Sequence, residues 1–233
     1  MVGADDGRKR VVIDSVRPQV DAGRFAIKRS LGETVAVRAD VFTDGHDRIH
    51  VELLYRAPHQ DSWIVQPMVH RVNDEWVANF TVTTLGDYLY TVRAWVDRFA
   101  TWQADLARRA ETGQDVTVEF RIGAEMLAAV AKRADRSDAE AIRKRARRLR
   151  SAKPTQAAVE AALSDDLTAL VAKYPDRSLA SLYDKDLAVI VDRPKAVFSA
   201  WYELFPRSFG RGGRHGTFRD CERLLPEIAR MGF

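Results

Sequence analysis

Six cations crowd into eight residues, "RKRARRLR" from Arg143 to Arg150, and cations at that density can neutralise a row of phosphates. The same stretch places Ile142, Ala146 and Leu149 at helical spacing, so its plainer reading is the solvated face of an amphipathic helix. No aromatic residue interleaves the run and acidic helices flank it, which favours the solvated face over a nucleic-acid partner. Trp63, Trp76 and Trp95 fall in a strand-like region, where exposed rings stack on sugars and buried rings fill a core; the core is the expectation. His46, His50, His59 and His70 are scattered, without the i, i+4 helical spacing of a zinc site, and no metal ligands are assigned. Cys221 would need a neighbouring imidazole to act as a nucleophile, and His215 is near only in sequence, so Cys221 is read as a packing residue. "GRGGRHG" (210–216) lacks both the Lys-Ser/Thr of a phosphate loop and the GxGxxG order, and is expected to be a plain loop. No carboxylate pair stands out as the opposed acid and base or nucleophile of glycoside chemistry. No residue is therefore assigned a catalytic, cofactor-binding or metal-ligating role.

The elements that position these residues change character along the chain. "RVVIDSVRP" is apolar and β-branched up to a proline stop, and "ETVAVRADVF" alternates Val35, Val37, Ala39 and Val41 with period two. The turn "TDGHD" follows, then "HVELLYR", "WIVQPMVHR", "EWVANFTV" and "DYLYTVRAWVD". In the last of these, Leu89, Thr91, Arg93 and Trp95 lie opposite Tyr88, Tyr90, Val92 and Ala94. Regular short strands separated by turns predict an antiparallel sandwich. "WQADLARRAE" reads as a short helix and "DVTVEF" (115–120) as one more strand.

From Gly123 the pattern is helical. "AEMLAAVAKRA" collects Met126, Leu127 and Val130 on one face, and Ser137 with Glu140 has the spacing of a capping box. Pro154 suits a first helical turn, and Ser164 with Asp165 and Asp166 suits a helix start. Short helices with short connections predict a small antiparallel bundle. "LAVIVD" (187–192) then restores a strand pattern, which makes the bundle an insertion and this strand a possible return to the sandwich. "AVFSAWYELFPRSF" reads as extended, and a last helix begins at Thr217. Gly232 looks like its stop, with Phe233 after it, where a buried strand is expected to begin. This ending is read as that of an amino-terminal fragment.

Composition narrows the class. The chain has 233 residues, enough for one large or two modest units, with ordinary hydrophobic (46%) and charged (30%) fractions. A net charge of +4 is too small to argue for nucleic acid by itself. No apolar run approaches the ~20 residues of a membrane span. "MVGADDGRKR" lacks the apolar core of a secretory signal, and the lone cysteine excludes an internal disulfide, so a cytoplasmic location is expected.

"FSAWYELFPRSF" and "GRHGTFRDCERLLPEIARMGF" resemble the opening of the catalytic barrel in the α-amylase superfamily of glycoside hydrolases. Together with "RVVIDSVRPQVDAGRFAIKRSLGETVAVRADVFTDGHD", they are similar more narrowly to the α-1,4-glucan:maltose-1-phosphate maltosyltransferases, over nearly the whole chain. The resemblance implies a glycosyltransferase of α-glucan biosynthesis. Its members move maltosyl units from α-maltose 1-phosphate to the non-reducing end of α-1,4-glucans with retention, through an aspartate nucleophile and a glutamate acid/base. Both of those groups lie on later barrel strands, so neither is carried over to a position here. It also implies a homodimer formed through the sandwich and helical bundle. A branching enzyme is the nearest competing parent, and the inserted helices weigh against it.

The expectation is thus an α+β chain: a β-sandwich over 10–121 with 186–193 returning to it, an inserted helical bundle over 122–185, and the first β/α unit of a truncated (β/α)8 barrel over 196–233. Such a piece alone is expected to be inactive, with no cofactor, no nucleic acid and no membrane partner. The alternative is a stand-alone glucan-binding or dimerisation module, pairing through Met126, Leu127, Val130, Val159 or Leu163.

Overall fold

The computed structural model describes residues 7–198 and 200–233. The reading of the extreme N-terminus therefore falls largely outside the described residues, as does Ser199 of the segment expected to be extended. Ten strands form two sheets among the described residues. In the first, β1 (Val11–Arg17), β3 (Thr34–Thr43), β7 (Glu75–Thr81) and β6 (Val69–His70) lie in that order. In the second the order is β2 (Ile27–Ser30), β10 (Leu187–Asp192), β8 (Gly86–Val96), β4 (Ile49–Arg56) and β5 (Ile64–Pro67), with β9 (Ser181–Leu182) also on β8. All pairs are antiparallel except β10 with β2.

The sheets share one core. Alternation along β3 buries Val35, Val37, Ala39 and Val41 on its inner face, and Val51, Leu53, Tyr88, Tyr90, Val92, Val189 and Val191 join them from the second sheet. Burial of apolar surface of this kind contributes about 25 cal/mol per Å². The Tyr90 hydroxyl reaches the Pro18 carbonyl, so its polar tip is satisfied in an apolar setting, and burial pushes its pKa up.

Between β8 and β9 come five helices: α1 (Arg98–Glu111), α2 (Thr117–Val130), α3 (Arg136–Ser151), α4 (Gln156–Ala162) and α5 (Asp165–Ala172). Their apolar stripes form a second core around Phe99, Trp102, Leu106, Phe120, Leu127, Ile142 and Leu167. The helical stretch begins at Arg98, directly after β8. Two local expectations are corrected. The strand expected over 115–120 is instead the lead-in and first turn of α2, because Val116 and Phe120 bury together at i, i+4 spacing in the helical core. The cap of α3 is Asp135, not Ser137: its carboxylate accepts from the Asp138 amide at 3.0 Å and from the Tyr174 hydroxyl at 2.7 Å. The Asp165/Asp166 start of α5 matches its expected place.

After Asp192 the described chain is turns and short helices. Pro194–Val197 and Pro206–Phe209 are single 3₁₀ turns, followed by α6 (Phe218–Glu222) and α7 (Leu225–Arg230). The helix expected from Thr217 does start there, with Thr217 and Asp220 capping each other. It breaks into two because Pro226 has no amide hydrogen to continue the ladder.

Candidate functional site

A cleft of ≈ 330 Å³ lies where the outer face of the second sheet meets the helices. β4 supplies His50 and Glu52, the β8–α1 junction Trp95 to Ala100, α2 Met126 and Val130, and α5 Thr168 and Val171. The period-two geometry of β4 sends Val51 and Leu53 inward and turns Glu52 toward the helices.

Glu52 is the buried charge of the molecule's centre, with 4% of its surface exposed. Arg93, directly opposite it on β8, donates from Nε over 3.0 Å, and Arg177 donates from Nη2 to the other carboxylate oxygen over 2.6 Å. Burial pushes the Glu52 pKa up, but the hydrogen bonds from Arg177 and Arg93 outweigh it and the net shift is downward. Beside this cluster, the Trp95 ring stacks on His50 at 4.6 Å and carries the Arg177 guanidinium 5.2 Å from its centre.

This arrangement binds charge to charge and has no proton to give. A glycosyl-transfer site needs one carboxyl held protonated and a second ionised across the reacting bond. Glu52 is held ionised between two guanidiniums. Asp176, on the rim, is also shifted down, first by the Ser178 hydrogen bond, and Asp97 caps α1 through the Ala100 amide. Among the described residues, no three His, Cys, Asp or Glu side chains are grouped as a metal site.

The residues singled out in the sequence are dispersed. Trp95 is buried; Trp63 is half-buried with Arg56 over its ring at 4.7 Å; Trp76 is half-buried and lies against His70 on the other sheet. They form no exposed pair for a sugar. His46 and His59 are exposed in turns, and His70 bonds the Asn73 carbonyl at 2.6 Å. Cys221 is buried on α6. The 210–216 loop is closed on itself: the Gly216 amide donates to the Arg207 carbonyl at 3.0 Å, and a side chain at Gly216 would overlap the Pro206 carbonyl oxygen. Of the residues named for self-association, Leu127, Val130 and Val159 are buried in the helical core, and Met126 and Leu163 pack against it. The Glu52–Arg93–Arg177 cluster went unread. Its one signal was an acidic residue between Val51 and Leu53 in an otherwise apolar strand.

Fold and cleft define an α+β unit of two facing sheets with helices set on one outer surface, its central charges used to hold elements together. Residues 9–193 match the family model described as α-1,4-glucan:maltose-1-phosphate maltosyltransferase, domain N/S, and the chain belongs to that family. It is 49% identical over 229 residues to the α-1,4-glucan:maltose-1-phosphate maltosyltransferase of Chlorobaculum tepidum, covering 98% of this chain and 34% of that protein. The enzymes of the same name from Myxococcus xanthus and Methylacidiphilum infernorum are 43% and 42% identical, over 96% and 98% of this chain and 35% and 34% of theirs. The chain thus spans about a third of the length of these curated relatives.

Proposed function

We propose that this chain is the amino-terminal part of a maltosyltransferase that moves maltosyl units from α-maltose 1-phosphate to the non-reducing end of α-1,4-glucans with retention. The observation that carries the reading is the 49% identity over 98% of the chain. In this reading the two sheets are a β-sandwich, the helices between β8 and β9 are a bundle inserted in it, and 196–233 opens a (β/α)8 barrel. The unpartnered apolar side chains of that last stretch, with Trp201 89% and Phe218 81% exposed, support a surface that packs against further barrel units. The working enzyme is a cytoplasmic homodimer, and the chain alone is inactive, since its central carboxylate is locked between arginines.

The test is a chimera. This chain replaces the matching third of the Chlorobaculum tepidum enzyme, and phosphate release from α-maltose 1-phosphate is followed with glycogen as acceptor. The chimera is expected to turn over and the isolated chain to release no phosphate. A folded but inactive chimera, or turnover by the isolated chain, overturns the reading.

A further inference from the structure

The two hydrophobic cores share no residue, and the cleft of ≈ 330 Å³ is space left where they meet. Junctions between separately packed units are where small-molecule sites concentrate, and this volume falls in their usual range of about 300–1,000 Å³. Part of the lining is apolar: Phe99, Val130 and Val171 of the helical core, with Met126 packed beside them. The His50 ring, stacked on Trp95 at 4.6 Å, adds an aromatic surface. The polar lining is unequally satisfied. Its three carboxylates are all engaged: Glu52 by Arg93 and Arg177, Asp97 by the Ala100 amide, and Asp176 by the Ser178 amide at 3.0 Å with Arg133 at 3.6 Å. Gln103 and Thr168 bond each other, and the Gln103 amide also donates to the Ala162 carbonyl. Two groups able to donate are left over. Arg98 is exposed, makes no hydrogen bond or ion pair among the described residues, and acts on Asp176 only through space. His50 Nε2 stands 3.9 Å from Glu52, beyond hydrogen-bond length, and its ring makes no hydrogen bond among the described residues.

We infer that this cleft is a binding site for a small organic anion with an apolar body. The body packs on Phe99, Met126, Val130 and Val171, and the anionic head takes the spare donors of Arg98 and His50. A carboxylate-type head suits the site because it only accepts hydrogen bonds, and the groups left over there only lack an acceptor. A cationic head would find no carboxylate of the lining unengaged. The assignment does not rest on the transferase reading, since no residue of the cleft is given a part in group transfer.

The test titrates the full chain with 2-naphthoate and with its neutral counterpart 2-naphthamide, followed by saturation-transfer NMR and calorimetry. 2-Naphthoate is expected to bind saturably with a Kd of about 1 mM or tighter, and about fivefold more tightly than the amide. Arg98→Gln, at an exposed position, is expected to weaken the carboxylate about fivefold and leave the amide unchanged, so the preference between them falls below about twofold. Ala129 lines the cleft from an exposed position on α2, and Ala129→Phe fills the space without entering either core. That variant is expected to lose at least about tenfold for both probes while keeping the native thermal midpoint. No saturable binding of 2-naphthoate up to about 5 mM overturns the proposal. So does equal affinity for the two probes, a carboxylate preference that survives Arg98→Gln, or binding that Ala129→Phe leaves intact, which would place the probe on the exposed apolar residues of 196–233 instead.

Discussion

Arg177 Nη2 lies 2.6 Å from Glu52 Oε1, although the two residues are 125 apart in sequence. The bond joins the segment leaving α5 to the middle of the second sheet, and Arg93 completes the clamp from the neighbouring strand. Removing the carboxylate leaves two guanidiniums facing each other in a half-buried site. Glu52→Ala is expected to lower unfolding stability by about 2–3 kcal/mol, short of the 3–5 of a fully buried pair because Arg93 and Arg177 keep 24% and 40% of their side-chain surface. Urea denaturation measures this, and a loss under about 0.5 kcal/mol would show the clamp to be incidental.

The same carboxylate predicts an acid dependence. Its folded pKa lies below the ordinary 4.5, so its contribution is complete above that value and is lost as pH falls through the folded pKa. Between neutral pH and pH 3, thermal unfolding midpoints of the native chain should converge on those of Glu52→Gln, with the gap closing below about pH 4.5. A gap that stays constant down to pH 3 contradicts the assignment.

Gly123, inside α2, sits against the Trp102 ring so closely that an added methyl would overlap it. Trp102 is buried and tied by its indole N–H to the Glu119 carbonyl at 2.8 Å, so the ring cannot step aside. Gly123→Ala gains up to about 1 kcal/mol of helix propensity and loses about 1–3 to overpacking. Net destabilisation of about 1–2 kcal/mol is expected by chemical denaturation; a more stable variant would mean the two helices separate easily.

Neither hydrophobic core has a member beyond Val191, and Cys221 is the only buried residue described after it that belongs to the 194–233 stretch. A chain ending at residue 193 should therefore unfold with a midpoint and cooperativity close to those of the full chain, within about 0.5 kcal/mol. A large loss would reveal a contribution from Trp201 to Met231 that the packing does not display.

Where local pattern and tertiary need agreed, the elements were legible. The alternation of Val35, Val37, Ala39 and Val41 announced β3, and Asp165 with Asp166 announced α5. "DVTVEF" was misread because Val116, Val118 and Phe120 satisfy period two as readily as Val116 and Phe120 satisfy a helical turn. Only the helical core, which takes Val116 and Phe120 and leaves Val118 exposed, breaks that tie. The cap of α3 shifted to Asp135 for a similar reason, since the Tyr174 hydroxyl that helps hold it arrives from 39 residues away.

By itself the sequence determined the membership of this chain in its family and the alternation of strand and helix along it, because periodicity and motif are properties of neighbouring residues. Tertiary structure alone decided that Glu52 is a clamped charge and not a reactive one, that the strand tryptophans serve packing, and that the exposed cations of α3 make no ion pair among the described residues. Each of those depends on which distant side chains arrive within a few ångströms, and dielectric and hydrogen bonding act over that distance whatever the separation along the chain.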